Sequence, residues 1–227
     1  MAKSKPSAPS PAVRKKILIV DDHPFMREGL CSVINREPDL RVCGEAENAH
    51  QALAAVLKFD PDLALVDITL PGKSGLELVK DLKALHPRLK ILAISMHDES
   101  LYAERMLRAG ASGYITKQQP SEELLRAIRQ VLDNQVYVSR QMSESLLRRF
   151  SGQPRAEGSP VDALTDREFE VFQLIGAGRS AKEIAGRLHL SAKTIAVHNA
   201  NIRRKLRLQT TAEVIRFAVQ SDSLPGG

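Results

Sequence analysis

The chain has 227 residues, 33 Lys and Arg against 27 Asp and Glu, two Cys, no Trp and 43% apolar residues, the composition of one large or two small globular domains. No apolar run is long enough to cross a bilayer core of about 30 Å, Met1–Lys16 lacks the apolar stretch of a secretory signal, and two cysteines do not make a disulfide framework; a cytoplasmic home is expected. The net charge of +6 divides unevenly, +5 over Met1–Lys16, −4 over Ile17–Val138, +2 over Ser139–Pro160 and +3 over Val161–Gly227, an asymmetry expected of two domains with different partners.

Residues 1–16 are rich in Pro, Ser and Ala without apolar period and read as a flexible tail. Short β-rich runs then alternate with helical patterns. The strands are expected at Ile17–Val20, Leu40–Glu45, Leu63–Val66, Ile91–Ile94 and Gly113–Thr116, the helices at Phe25–Asn35, Asn48–Phe59, Gly75–His86, Glu99–Ala109 and Ser121–Asp133. Short connections and continuous apolar strands predict a doubly wound, five-stranded parallel sheet over 17–138. Residues 139–162 read as a linker, with one more helical turn near Ser143–Phe150. Over 163–222 four short helices are expected. Thr165-x-x-Glu168, Ser180-x-x-Glu183 and Thr210-x-x-Glu213 fit the capping box, Ser191 caps a further start, and Gly176 and Gly178 break the chain between the first two helices. A basic all-α module of this size fits a helix-turn-helix; residues 223–227 read as a tail.

In a doubly wound sheet ligands bind beyond the carboxyl ends of the strands. Here the first strand ends in Asp21 and Asp22, the third in Asp67, the fourth in Ser95, and the fifth runs into Lys117. Carboxylates so clustered need a hard cation, and Asp oxygens with water suit Mg²⁺. Cation and lysine can neutralise a transferred phosphoryl group while one carboxylate attacks phosphorus. Asp67, presented singly by a central strand, is the best nucleophile. Asp21 and Asp22, with Asp67 and the Thr69 carbonyl, would hold the metal. His23 is a poor ligand for so hard an ion and is expected to pack or hydrogen-bond at the helix start. Cys31 and Cys43 fit apolar patterns and read as core.

The segments VDDHPFMREGL, LVDITLPGKSGLELV, ILAISMHDES and AGASGYITK strongly resemble the receiver domain of bacterial two-component response regulators. LTDREFEVFQLIGAGRSAKEIAGRLHLSAKTIAVHNANIRRKL resembles the LuxR-type helix-turn-helix, and together they look like the NarL/FixJ family. The resemblance implies that Asp67 is the phosphoacceptor, Ser95 the switch hydroxyl, Lys117 the phosphate partner and Tyr114 the aromatic that changes rotamer on activation. His97 would tune the lifetime of the acyl phosphate. The implied partners are a histidine kinase, double-stranded DNA and a second copy of the chain.

At 100° per residue Ile195, Ile202 and Leu206 share a core stripe, opposite Lys193, Val197, Ala200 and Arg204, with Ala196 and Asn201 at the margins. The DNA-contacting set implied by the resemblance is Lys182, Lys193, Thr194, Ala196, Val197, Ala200, Asn201, Arg203, Arg204 and Lys205. The family often carries Lys or Arg at the positions of Ala196 and Asn199, so here fewer cations reach bases. Val197 and Ala200 are left to meet thymine methyls, while Arg203, Arg204, Lys205 and Arg207 grip phosphates. The last helix, Ala212–Val219, keeps an apolar stripe for pairing two domains. The expectation is a transcription regulator rather than an enzyme. A phosphohydrolase of the haloacid dehalogenase type would want an acid where Thr69 stands, and a protein-binding helical module is the other alternative.

Overall fold

The computed structural model describes residues 14–96, 99–144, 160–188 and 190–223. Residues 1–13 and 224–227 of the expected tails, His97 and most of the expected linker, including all of the helical turn near Ser143–Phe150 beyond residue 144, lie outside the described residues, whereas Lys15 and Lys16, expected in the flexible tail, pair into the first strand and Ser223 ends the last helix.

Five strands, β1 (Lys15–Val20), β2 (Leu40–Ala46), β3 (Leu63–Asp67), β4 (Lys90–Ser95) and β5 (Gly113–Thr116), form one parallel sheet in the order β2-β1-β3-β4-β5. β1, β3 and β4 are apolar on both faces because helices cover both. Ile17, Ile19, Leu63, Leu65 and Leu92 face a core shared with α1 (Pro24–Asn35) and α5 (Ser121–Leu132). Leu18, Val20, Ala64, Val66, Ile91 and Ala93 face α2 (Ala49–Phe59), α3 (Gly75–Leu85) and α4 (Glu99–Arg108). Each such fully buried aliphatic side chain contributes about 1.5–3 kcal/mol.

Order reverses between β1 and β3, so the connections that leave their carboxyl ends run to opposite faces and a crevice lies beyond them. The elements run a residue or two beyond their sequence signals at several ends, and one case matters: β3 includes Asp67. That end is held tightly. The Gly75 N–H donates to the Ile68 carbonyl at 2.9 Å, and a Cβ on Gly75 would sit 2.2 Å from the Asp67 carbonyl oxygen. Only glycine lets α3 start so close to the strand. Ser74 and Glu77 cap it reciprocally.

The C-terminal part opens with a 3₁₀ turn (Pro160–Ala163) and continues as α6 (Asp166–Gly176), α7 (Ala181–Leu188), α8 (Ala192–Leu206) and α9 (Thr211–Ser223). Thr165–Glu168 and Ser180–Glu183 form both bonds of the capping box. At the third, Thr210 accepts from the Glu213 N–H, but the Glu213 carboxylate accepts from Gln209 instead. Gly178 makes the break (φ 74°). Gly176 instead remains helical and serves packing, since a Cβ there would lie 2.5 Å from Ala218 Cβ on α9.

The two parts touch along α3, α4 and the loop after β3. Arg105 of α4 donates to the carbonyls of Val161 (2.6 Å) and Leu164 (3.1 Å) and pairs with Asp166 at 3.3 Å. Lys80 of α3 also pairs with Asp166. Tyr102 meets Phe169 edge-on with ring centroids 5.0 Å apart. The Gly72 N–H donates to the Arg187 carbonyl at 3.3 Å.

Candidate functional site: an acidic crevice and an exposed helix face

The crevice beyond β1 and β3 gathers the residues that the strand ends supply. Asp21 and Asp67 are buried, and the Lys117 ammonium reaches both, 2.6 Å from Asp21 Oδ2 and 2.8 Å from Asp67 Oδ2. The Thr69 N–H donates to Asp67 Oδ1 at 3.1 Å, so the backbone after β3 fixes the orientation of the carboxylate. Burial raises the pKa of Asp67; Lys117 is the chief opposing influence, and burial with a smaller push from Asp21 outweighs Lys117 and the Thr69 N–H. Burial draws the pKa of Lys117 down, but Asp67 and Asp21 outweigh it and the net shift is upward. The ammonium therefore stays charged between two carboxylates.

Asp22 stands at the rim. Oxygens of Asp21, Asp22 and Asp67 and a ring nitrogen of His23 all lie within 4.8 Å of one another. Asp21 Oδ2 and Asp22 Oδ1 are buried, and among the described residues they face only the Lys117 ammonium and the His23 ring respectively. Oxygen-rich, negative and short of donors, the cluster fits a hard divalent cation. His23 occupies the N-cap position of α1 without capping it; its Nδ1 lies 2.8 Å from Asp22 Oδ1 and 3.3 Å from Asp21 Oδ1.

Ser95 closes β4 beside Asp67: the β3–β4 register pairs Asp67 with Ile94, one residue earlier. Its side chain is buried, and its carbonyl accepts from the Lys117 N–H at 2.7 Å. Tyr114 is buried on β5 in the same apolar cluster as Ala103 and Met106 of α4. Cys31 and Cys43 are unpaired and half-buried; burial pushes the Cys31 thiol up to about 11 and raises that of Cys43. Neither is a thiolate nucleophile at neutral pH.

Sequence reasoning passed over Arg27. Its guanidinium is buried behind the crevice, donating to the Asp21 carbonyl (2.7 Å) and to Glu47 Oε1 (2.8 Å), with Glu45 3.4 Å from Nε. It ties the loop after β1 to the loop after β2. The signal was present: Arg27, Leu30 and Ile34 share one stripe of α1, and a cation on a core stripe needs a buried partner.

On α8 the stripe of Ile195, Ile202 and Leu206 is buried as expected. Lys193, Ala196, Val197, Ala200 and Arg204 are exposed, Val197 at 54%, and so is Lys182 on α7. The basic end of α8 is less free than its composition implies. Lys205 is bonded to Glu168 of α6 at 2.6 Å, Arg203 donates to the Gln209 carbonyl at 2.9 Å, and Thr194 is held by Ser191. Asn201 is half-buried. On α9, Val214 and Ala218 are buried, leaving Ile215 (38%) and Val219 (51%) exposed. No described helix is long and apolar enough to cross a membrane.

An acidic crevice on a parallel sheet, joined to a module with an exposed helix-turn-helix face, defines a two-part regulator. Response regulator receiver domains match residues 17–129, and the family described as bacterial regulatory proteins, luxR family, matches residues 162–218. The oxygen regulatory protein NreC of Staphylococcus epidermidis is 34% identical over 215 residues, covering 92% of this chain and 99% of its own. NreC of Staphylococcus aureus strain RF122 is 37% identical over 214 residues, with 92% and 99% covered. Among solved structures, a LuxR-family two-component response regulator from Aurantimonas has a TM-score of 0.57 at 33% identity, covering 61% of this chain and 99% of that one. RcsB from Salmonella enterica serovar Typhimurium, bound to the rprA promoter, has a TM-score of 0.66 at 24% identity, covering 90% and 98%, a likeness of fold. The chain belongs to the response regulators that join a receiver domain to a LuxR-type DNA-binding domain, and it is a transcription regulator.

Proposed function

We propose that a histidine kinase phosphorylates this regulator on Asp67 in the cytoplasm, and that the phosphoryl group controls pairing of two chains on DNA. The observation that carries the reading is Lys117 held between Asp21 and Asp67 at 2.6 and 2.8 Å, beside Ser95. A carboxylate oxygen of Asp67 attacks phosphorus, the bond from phosphorus to the kinase imidazole nitrogen breaks, and the imidazole keeps the electron pair. Mg²⁺, when bound by Asp21, Asp22, Asp67 and the Thr69 carbonyl, supplies positive charge against the phosphoryl oxygens. Lys117 meets a further phosphoryl oxygen and Ser95 donates its hydroxyl hydrogen to another. Buried Tyr114 then repacks toward the space that Ser95 leaves. These residues support phosphate uptake and slow loss and no turnover of a separate substrate.

α8 would lie in the major groove, with Lys182, Lys193, Thr194, Ala196, Val197, Ala200, Asn201, Arg203, Arg204 and Lys205 at or near DNA. The receiver domain touches α6 and the end of α7, while the outer face of α8 stays exposed. That exposure favours control through pairing over simple masking of the reading helix. The domain limits that follow are 17–138 for the receiver, 139–162 for the linker and 163–222 for the DNA-binding domain. The test is mass spectrometry after acetyl phosphate and Mg²⁺: one phosphoryl group on the wild type and none on a folded Asp67→Asn chain. Equal labelling of both would overturn the assignment.

A further inference from the structure

β5 ends the sheet, and an edge strand presents unpaired N–H and C=O groups that must be covered. The chain covers it with its own continuation after α5. The Tyr137 N–H donates to the Ser112 carbonyl at 3.1 Å and the Tyr114 N–H donates to the Tyr137 carbonyl at 2.8 Å, a parallel bridge opposite Gly113. The fit requires glycine: a Cβ at Gly113 would lie 2.6 Å from the Tyr137 carbonyl oxygen. On one side the segment is tied to α5, where Gln130 donates to the Val136 carbonyl at 2.8 Å and the Tyr137 hydroxyl donates to Glu123. On the other it is tied to α4, where Glu99 Oε1 accepts from the Ser139 N–H at 2.7 Å. Ser139 Oγ in turn accepts from the Met142 N–H at 3.1 Å, starting helical residues 140–144 at the head of the linker.

We propose that residues 136–139 are a strap on the β5 edge whose grip is set by the state of Asp67, and that its release frees the linker. The inference rests on the phosphoacceptor reading above. Two of its three fastenings, to α4 and to β5, sit on elements that this reading sets in motion. Glu99 opens α4 four residues after Ser95, so a β4–α4 loop drawn toward a phosphoryl group carries Glu99 away from Ser139. Tyr114 shares its apolar cluster with Met142, and Val138 packs against that cluster. A ring that changes rotamer in a close-packed wall displaces what lies against it. Two backbone bonds at an edge, one buried ring (Tyr137) and a few side-chain ties hold far less than a central strand does, so the segment is able to open without the domain unfolding.

Backbone amide hydrogen exchange by NMR on the full chain, with Mg²⁺ and with or without beryllofluoride as phosphoryl mimic, tests this. Exchange at Tyr137 and Ser139 should rise by about tenfold or more on loading, with Val131 in α5 unchanged. Glu99→Ala should raise exchange at Ser139 and Tyr137 without the mimic. If that chain does not fold, Ser139→Pro deletes the same bond from the other side. Fluorine NMR showing bound beryllofluoride with exchange at Tyr137 and Ser139 unchanged would overturn the strap while leaving the phosphoacceptor in place. No binding difference between wild type and Asp67→Asn would overturn the phosphoacceptor reading, and the strap with it.

Discussion

The Arg105 guanidinium on α4 lies over the Phe169 ring on α6, 4.3 Å from its centroid, while donating to the Val161 and Leu164 carbonyls. One side chain thus joins the helix that follows Ser95 to the first turn of the DNA-binding domain. Because Arg105 is mostly buried there, its removal takes a donor from the Leu164 carbonyl, leaves the Val161 carbonyl only the Leu164 N–H, and loses the ring contact. Arg105→Ala should weaken docking by about 1–3 kcal/mol. Small-angle scattering should then show a larger radius of gyration for the unphosphorylated chain. A radius equal to wild type would mean that the remaining contacts, Tyr102 with Phe169, Lys80 with Asp166 and Gly72 with Arg187, suffice to hold the domains.

Arg27 offers a test in which two physical roles predict opposite signs. As a bare positive charge behind the acidic crevice it opposes a divalent cation, so its removal would tighten Mg²⁺ binding. As a clamp on the Asp21 carbonyl it keeps the carboxylates convergent, so its removal would loosen binding. The bonded geometry favours the clamp. Arg27→Ala should weaken Mg²⁺ binding about tenfold, or about 1.4 kcal/mol, by calorimetry, with the phosphorylation rate at saturating Mg²⁺ nearly unchanged. Arg27→Lys should rescue poorly, since an ammonium cannot span the Asp21 carbonyl and Glu47 as the planar fork does. Tighter binding in the alanine variant would assign the residue a purely electrostatic role.

Val197 and Ala200 present an apolar centre on the exposed face of α8, where cations from Arg203 and Lys205 are already engaged within the domain. In the proposed reading this face meets thymine methyls. Once a site has been selected from random DNA, replacing a contacted thymine by uracil should weaken binding about three- to fourfold, the worth of one buried methyl group. Val197→Ala should remove most of that difference. Uracil tolerated at every position, with binding steeply salt-dependent and indifferent to sequence, would instead assign the module to phosphate contact alone.

The parallel sheet and its acidic edge were legible because both follow from local rules. Strands buried on two faces must be continuously apolar, and Asp21, Asp67 and Lys117 are where such strands run out. The capping residues Thr165 and Ser191 were equally plain, since a cap acts within three residues. What stayed hidden depends on long-range geometry. Arg105 and the Val161 carbonyl lie 56 residues apart in sequence, and no periodicity pairs them. Tyr137 sits in the short run Val136–Val138, which reads as the end of a domain because the strand it completes lies earlier in the chain. Arg27 acts through a backbone carbonyl, which every residue possesses. Lys205 looks like a free cation until folding places Glu168 beside it.

The apolar remainder of α9 supplies the last prediction. Val214 and Ala218 are buried, and Gly176 lets α6 approach the Ala218 side of the helix. Ile215 and Val219 point elsewhere and stay exposed four residues apart, which puts them on one stripe. Two such stripes meeting about a two-fold axis would place two copies of α8 on successive turns of the major groove, as an inverted-repeat site requires. Because both side chains lie at the exposed surface, Ile215→Ser with Val219→Ser should leave the melting temperature within a few degrees of wild type. The same pair should lower affinity for a two-half-site DNA by one to two orders of magnitude, about 1.4–2.8 kcal/mol, while binding to a single half-site is unchanged. Equal losses on both DNAs would move the stripe from pairing to the support of α8. No loss on either would place the pairing surface in the receiver domain.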